Sequence, residues 1–150
     1  MSVDPRTLGW ITRALTHEMG AVQQYLAQSV LARLWGDERL AQHLRQEAVE
    51  ELGHAERLME KLILLGVSPS AGNLAPSRLG RTAEALLEAD QQIEIDAVRL
   101  YQQALVHAQR TRDSDCAALF EGILREELEH VQALNHGLSG YTPTENARHG

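Results

Sequence analysis

Four long stretches with apolar residues at helical spacing, separated by two short connections and one long one, constrain the fold of this chain. Short connections between helices force antiparallel neighbours. The long segment 66–80, "GVSPSAGNLAPSRLG", is rich in turn-forming residues and long enough to cross the full length of a bundle. The pattern therefore predicts an all-α, four-helix bundle with one long crossover between helices two and three. The predicted helices start near Asp4, Asp37, Arg81 or Thr82, and Asp113 to Asp115.

The bundle is predicted to occupy residues 1–140 as one domain. The tail 141–150, "YTPTENARHG", contains proline and shows no periodicity, so an irregular ending is expected there. The length of the chain agrees with one domain, because 150 residues are enough to form a substantial core.

Each helix carries acidic residues on the stripe that should face the core, where leucine is expected. Helices one and three each offer a glutamate, with a tyrosine seven residues later. Helices two and four each offer the spacing Glu-x-x-His, which puts both side chains on one helical face. The residues concerned are Glu18, Tyr25, Glu51, His54, Glu94, Tyr101, Glu127 and His130.

These residues form an internal repeat. Glu94 follows Glu18 by 76 residues, and Tyr101, Glu127 and His130 follow their counterparts in the first half by the same 76. An approximate twofold axis relating the two halves would bring the midpoints of all four helices together. The repeat thus predicts one central cluster that contains four carboxylates and two imidazoles.

Charge balance decides what such a cluster can be. A buried, unpaired carboxylate costs several kcal/mol, and four close together cannot all ionise without a counter-charge. A bundle built on buried salt-bridge networks is the alternative, but no lysine or arginine occupies these stripe positions. Two divalent cations would supply four positive charges, and carboxylates with some imidazole suit iron or manganese, with zinc or cobalt also accepted. The carboxylate-bridged di-iron bundles use this donor set.

Several other polar residues are weaker candidates for metal ligands. Glu47 and Asp90 also fall on the inward stripes, and either could instead reach solvent at a rim. Tyr25 and Tyr101 could be core aromatics, could hydrogen-bond a metal-bound carboxylate, or could donate an electron, and Tyr25 is the preferred catalytic candidate. Solvated positions are expected for Glu50, Glu126, Glu129, His17, His43, His107, His136 and His149.

Composition excludes several classes of protein. A formal net charge of −7 argues against a nucleic-acid partner. A single cysteine, Cys116, rules out a disulfide framework within the chain, and it is expected to lie in the core near the start of the last helix. No apolar run reaches about 18 residues, so no membrane span or membrane partner is expected. The N-terminus does not resemble a secretory signal, so the expected location is the cytoplasm.

The motifs "HEMGAVQQY", "EELGH", "EIDAVRLY" and "LREELEH", with the long crossover between the second and third, resemble the bacterioferritins of the ferritin-like superfamily. The resemblance covers about residues 5–140. It implies a ferroxidase centre with two iron ions per subunit, where zinc, manganese or cobalt can substitute. By this resemblance the terminal ligands are Glu18 and Glu94, the bridging ligands are Glu51 and Glu127, and each iron binds one of His54 and His130.

Two departures from the family pattern affect cofactor and assembly. Haem-binding bacterioferritins place a methionine directly after the first glutamate of the helix-two motif, and this chain has Leu52 there. Haem is therefore not expected, unless a mixed assembly supplies a haem-binding subunit. The tail lacks the pattern of the fifth helix that usually accompanies 24-subunit cages, which bears on the cage but not on the dimer building block. A homo-oligomeric cage remains the favoured state.

The primary hypothesis is a ferroxidase that oxidises Fe(II) with O2 or H2O2 and stores Fe(III) in an oligomeric shell. One alternative is a dimeric di-iron peroxidase or oxidase that stores no iron. Another is a haem-free partner subunit of a mixed bacterioferritin.

Overall fold

The structure, a computed structural model, describes residues 3–140 and shows four helices. Their bounds are α1 (Pro5–Leu34), α2 (Glu38–Leu64), α3 (Ala83–Arg110) and α4 (Ser114–Gly140). Within that range the chain forms no strand. The all-α fold and the order of its elements confirm the prediction. The expectation of an irregular tail falls on 141–150, outside the described residues, and so do the positions expected for the side chains of His136 and His149.

The first three helices begin where the sequence indicates because, at each start, a side chain accepts a hydrogen bond from one of the free backbone N–H groups. Asp4 accepts a hydrogen bond from the N–H of Arg6, Asp37 accepts one from Leu40, and Thr82 accepts one from Ala85. The turn between α1 and α2 uses Gly36 at φ 85°, a left-handed conformation that costs glycine little. The boundary residues predicted from capping chemistry are thus confirmed to within one or two positions.

The direction of each helix follows from its contacts. Tyr25 pairs with Glu94 and Tyr101 pairs with Glu18, so α1 and α3 are antiparallel. The short turn after α1 makes α2 antiparallel to α1 as well, so α2 and α3 run in the same direction. The crossover that this requires lies along α1, where side-chain hydrogen bonds hold it: Thr16 to the carbonyl of Ala71 and Gln24 to that of Arg78.

The core is divided into two apolar clusters, one on each side of the acidic midpoints. One cluster contains Leu15, Leu58, Phe120 and Ile123, with the buried Cys116 in the predicted core position. The other contains Leu40, Leu44, Trp35, Leu86 and Leu134. These clusters provide the hydrophobic stabilisation of the bundle, and they exclude water from the polar layer between them.

Candidate metal centre

The structure brings the six predicted ligand side chains together at the middle of the bundle. All four glutamates are buried, with at most 1% of each exposed. Donor atoms within 4.8 Å of one another define two groups that share Glu51. The first group contains Glu18, Glu51, His54 and Glu127, and the second contains Glu47, Glu51, Glu94 and His130.

The two histidines present the same ring nitrogen to the cluster. Nδ1 of His54 lies 2.7 Å from a carboxylate oxygen of Glu127 and 3.5 Å from Glu18. Nδ1 of His130 lies 3.1 Å from Glu51 and 3.6 Å from Glu94. The rings stack, with centroids 6.0 Å apart. Two nitrogen donors therefore face two neighbouring sets of carboxylate oxygens.

The donor set has unused capacity at the positions where a cation would sit. Within residues 3–140, Glu18, Glu51 and Glu94 each have a buried oxygen without a hydrogen-bond partner. Both oxygens of Glu127 and Nδ1 of His130 also lack a hydrogen bond of suitable geometry, although they lie at ion-pair distance from neighbouring side chains of the cluster. Buried polar groups in stable proteins are almost always paired, so this concentration of unpaired donors needs an explanation. Two divalent cations would satisfy it, because carboxylate oxygens and imidazole nitrogens are ligands for iron, manganese and zinc.

Burial controls which acids carry protons. Desolvation is the main cause that raises the pKa of Glu18 and of Glu127 well above the usual carboxyl range, and neighbouring carboxylates add to it. Burial also opposes ionisation of Glu51, but interactions with Glu18 and both histidines outweigh burial and hold its pKa below the usual range. Without a cation, the cluster therefore holds protons on some of its acids.

The histidines are cationic for the complementary reason. Burial alone would lower the pKa of His54, but Glu18 and Glu51 overcome it and raise the pKa to about 10. For His130, contacts with Glu51 and Glu94 likewise overcome burial and raise the pKa to about 11. Protons on the imidazoles thus provide the positive charge that the acidic layer requires.

The two tyrosines occupy equivalent places in the two halves. The hydroxyl of Tyr25 donates to Glu94 at 2.5 Å, and that of Tyr101 donates to Glu18 at 2.7 Å. Both side chains are fully buried. Each is therefore a core aromatic and a hydrogen-bond donor to a cluster carboxylate at once, so these two possibilities do not exclude each other.

Sequence reasoning missed two carboxylates that contact the histidines from outside. Glu50 lies 2.7 Å from Nε2 of His130, and Glu126 lies 3.7 Å from Nε2 of His54. Both are partly exposed, as expected. Glu50 is close enough to orient the ring of His130, a role typical of carboxylates behind metal-binding histidines, whereas Glu126 pairs with Arg57. The signal was available, since Glu126 follows Glu50 by the same 76 residues.

Two positions expected to be solvated are not. His107 is mostly buried and lies 3.0 Å from the hydroxyl of Thr7, and His17 is partly buried. The contact of His107 with Thr7 joins α3 to α1, a contact between helices that spacing within one helix does not report. His43 is exposed, as expected.

A surface pocket of about 500 Å³ leads to the histidines. It is lined mainly by acids and the two rings: Glu47, Glu50, His54, Arg57, Glu126, Glu129 and His130. An acidic opening of this kind concentrates cations. It connects solvent with a cluster that is otherwise enclosed by apolar side chains.

The sequence of this chain is similar to those of known proteins. A family model described as a ferritin-like domain matches residues 10–140. A bacterioferritin of Mycolicibacterium paratuberculosis is 34% identical over 134 residues, covering 89% of this chain and 84% of the relative. One from Rhodobacter capsulatus is 30% identical over 141 residues, covering 94% and 88%. No described helix is both long enough and apolar enough to traverse a bilayer.

Solved structures agree. The Rhodobacter capsulatus bacterioferritin, described with a metal-free dinuclear site and haem iron in a crystallographic special position, superposes with a TM-score of 0.91 at 29% identity. It is matched over 97% of its length by the whole of this chain. Bacterioferritin BfrA of Mycobacterium tuberculosis gives 0.87 at 32% identity, covering 93% of this chain and 87% of that one.

Proposed function

Because this chain belongs to the bacterioferritin family of ferritin-like proteins, we propose that it is a ferroxidase that oxidises Fe(II) at a dinuclear centre and stores Fe(III) in an oligomeric shell. The observation that carries this proposal is the buried layer of six ligand side chains, five of which have an atom without a hydrogen-bond partner within the described residues. The iron ions are substrates here, and zinc, manganese or cobalt would occupy the same donors.

The roles of the ligands follow from their positions. Glu18 and His54 would hold one ion, and Glu94 and His130 the other. Glu51 contributes to both donor groups. The two oxygens of Glu127 face different histidines, one 2.7 Å from His54 and the other 3.9 Å from His130. Glu51 and Glu127 are therefore suited to bridge the two ions.

The reaction balances with two ions. Each Fe(II) loses one electron, and two electrons with two protons convert O2 to H2O2, or H2O2 to two waters. The protein excludes bulk water with the apolar clusters on either side and orients the imidazole of His130 through Glu50. Bringing two one-electron donors together suits a two-electron oxidant. A reducing cytoplasm would supply iron as Fe(II), and we propose that location.

Tyr25 is proposed to take part in the reaction, and Tyr101 provides a matched control. Replacing either with phenylalanine removes one hydrogen bond to a cluster glutamate. We expect Tyr25→Phe to slow Fe(II) oxidation by about 10-fold or more, within the range for residues that orient metal ligands. Tyr101→Phe should have a smaller effect, since in this proposal Tyr25 donates an electron and Tyr101 only positions Glu18. Stopped-flow absorbance with both variants measures the difference, and equal losses would show that neither tyrosine has more than a positioning role.

An oligomeric state is supported by apolar residues on the outer faces of α1 and α2. Leu26, Val30 and Leu34 form an exposed stripe four residues apart, and Val49 and Leu52 are exposed on α2. Apolar groups at such spacing are typical of a helix that packs against another chain. We propose that they form the dimer from which a shell of 24 subunits, in bacterioferritin fashion, is assembled.

Light scattering before and after aerobic loading with Fe(II) tests storage. A large assembly that retains many iron atoms per chain would support the proposal. A dimer that retains no mineral would contradict storage and would favour the dimeric peroxidase or oxidase. A chain that gains iron only when mixed with a haem-binding bacterioferritin subunit would favour the partner-subunit alternative.

Haem binding is proposed to be absent because of Leu52, whose side chain offers no donor to iron. Leu52 is 41% exposed on α2 and therefore available at a dimer interface. We expect Leu52→Met to let the dimer bind haem through one methionine from each subunit. A Soret band after reconstitution, with none for the parent chain treated identically, would agree with this. Failure of the variant to bind haem would show that other parts of the pocket are missing.

A further inference from the structure

A second polar group lies one helical turn away from the proposed dinuclear centre. Glu47 precedes Glu51 by four residues on α2, and Asp90 precedes Glu94 by four on α3. Because α2 and α3 run in the same direction, both lie on the same side of the centre. Gln28 of α1 reaches this level as well, where its amide contacts the carbonyl of Leu86.

All three side chains are buried, and each has at least one oxygen that accepts no hydrogen bond, although the Gln28 amide contacts Leu86 and the other Glu47 oxygen lies 4.0 Å from His43. Asp90 and Gln28 are 0% exposed and Glu47 is 8% exposed. Across the described part of the chain, neither oxygen of Asp90 accepts a hydrogen bond, nor does the side-chain oxygen of Gln28 or one oxygen of Glu47. Leaving such groups unpaired costs free energy for each one. The arrangement must therefore serve something other than the stability of the metal-free bundle.

The internal repeat supplies a direct comparison. The residues that correspond to Asp90, Gln28 and Glu47 in the other half are Ala14, Ala104 and Ile123. All three are fully buried members of an apolar cluster. The bundle can therefore close this level with small and aliphatic side chains. Oxygen donors on only one side of the centre are a departure from the symmetry that the fold itself does not require.

We propose that Glu47, Asp90 and Gln28 form a third site for a divalent cation, adjoining the His130 side of the dinuclear centre. The donors are two carboxylates and one amide oxygen, which suit Fe(II), Mn(II) and other cations that prefer oxygen. Lacking imidazole, this site binds more weakly than the other two. The proposal extends the proposed function by giving an iron ion a place to stay beside the centre.

Glu47 connects this site with its surroundings. One of its oxygens lies within 4.8 Å of donor atoms of Glu51, Glu94 and His130. The same residue lines the acidic surface pocket. A cation held by Glu47 and Asp90 thus has a continuous set of carboxylates toward solvent on one side and toward the dinuclear centre on the other.

Binding stoichiometry tests the third site. Whole protein, stripped of metal, is dialysed without oxygen against rising Co(II), and bound cobalt is measured by atomic emission. We expect two tightly bound ions per chain and a third with at least ~10-fold weaker affinity. Asp90→Asn and Glu47→Gln should lose the third ion and keep two, with the same visible absorption from the histidine-ligated ions. Glu88→Gln, which removes an exposed charge from α3, the helix that carries Asp90, should keep all three ions.

A triple variant guards against misfolding. Combining Gln28→Ala, Glu47→Ile and Asp90→Ala gives this level the residues that already pack at the equivalent level of the other half. It should remain helical and bind two ions. The proposal is overturned if the parent chain binds only two ions, or if the single or triple variants keep the third. Fewer than two tight ions in the parent chain would instead contradict the dinuclear centre, so the two failures are distinguishable.

Discussion

Replacing Glu127 with alanine is expected to lower the rate of Fe(II) oxidation by more than about 100-fold and to leave the helical content unchanged. Even residues that only orient metal ligands typically cost 10- to 100-fold, and a shared ligand should cost more. Glu127 is fully buried, and its oxygens face both histidines. Removing it takes one ligand from each ion. It also leaves three carboxylates against the four positive charges of the two ions, so one positive charge is unbalanced.

The variant should fold, because its loss also removes an acid that burial disfavours in charged form. Oxidation is followed at about 300 nm after anaerobic protein loaded with Fe(II) meets O2 or, separately, H2O2. Circular dichroism provides the check on folding. Glu121→Ala is the matched control, since this glutamate lies on the same helix and is exposed. Unchanged oxidation by Glu127→Ala would place the reaction elsewhere in the molecule.

The fold was predictable because capping residues mark the ends of each helix and the spacing of apolar residues marks its buried face. Asp4 and Thr82 have the capping chemistry that helix starts need, and they cap α1 and α3 in the structure. The direction of the third helix follows from the length of the crossover alone. Convergence of the acids was predictable for a different reason: Glu18 and Glu94 stand in equivalent places of a repeat, and a repeat with twofold symmetry must bring equivalent points together.

Contacts that depend on side-chain rotamers, and features that differ between the two halves of the repeat, were harder to predict from the sequence. The contact between Glu50 and His130 crosses from α2 to α4, and no spacing within one helix reports it. Asp90 posed a different difficulty. Its position on the stripe left a rim or a core location open, because a stripe gives direction around a helix but not depth along a bundle. The structure places it in the core, 0% exposed, and Glu47 at 8%.

Binding of two divalent cations at pH 7 is expected to release protons from the centre, and the affinity should fall steeply as pH is lowered. Metal ligands must be deprotonated, so any group that is protonated in the metal-free protein competes with the cation. Burial raises the pKa of Glu18 and Glu127, and carboxylate contacts raise those of His54 and His130 to about 10 and 11. The two histidines therefore carry protons at pH 7, burial favours the protonated form of Glu18 and Glu127, and the cations must displace these protons.

The sign and size of the pH effect follow. Each released proton makes the binding constant about tenfold smaller per unit decrease in pH. If all four groups release one, the overall constant for two ions falls about ten-thousandfold between pH 7 and pH 6. Affinity should rise with pH over the same interval, until the histidines lose their protons in the metal-free protein. If the imidazoles were neutral and the acids ionised before binding, no protons would be released and the affinity would not change with pH over this interval.

Calorimetry of Co(II) binding in buffers with different ionisation enthalpies counts the protons directly. The metal-free protein is titrated anaerobically at pH 6, 7 and 8, and the slope of apparent enthalpy against buffer enthalpy gives the number released. Glu127→Gln is an informative variant because its amide cannot release a proton, so the count should fall by one. A slope near zero at pH 7, or an affinity that does not change between pH 6 and pH 8, would show that the acidic layer is already ionised. The buried glutamates would then need some other source of positive charge, and the chain contains no lysine or arginine on those stripes to provide it.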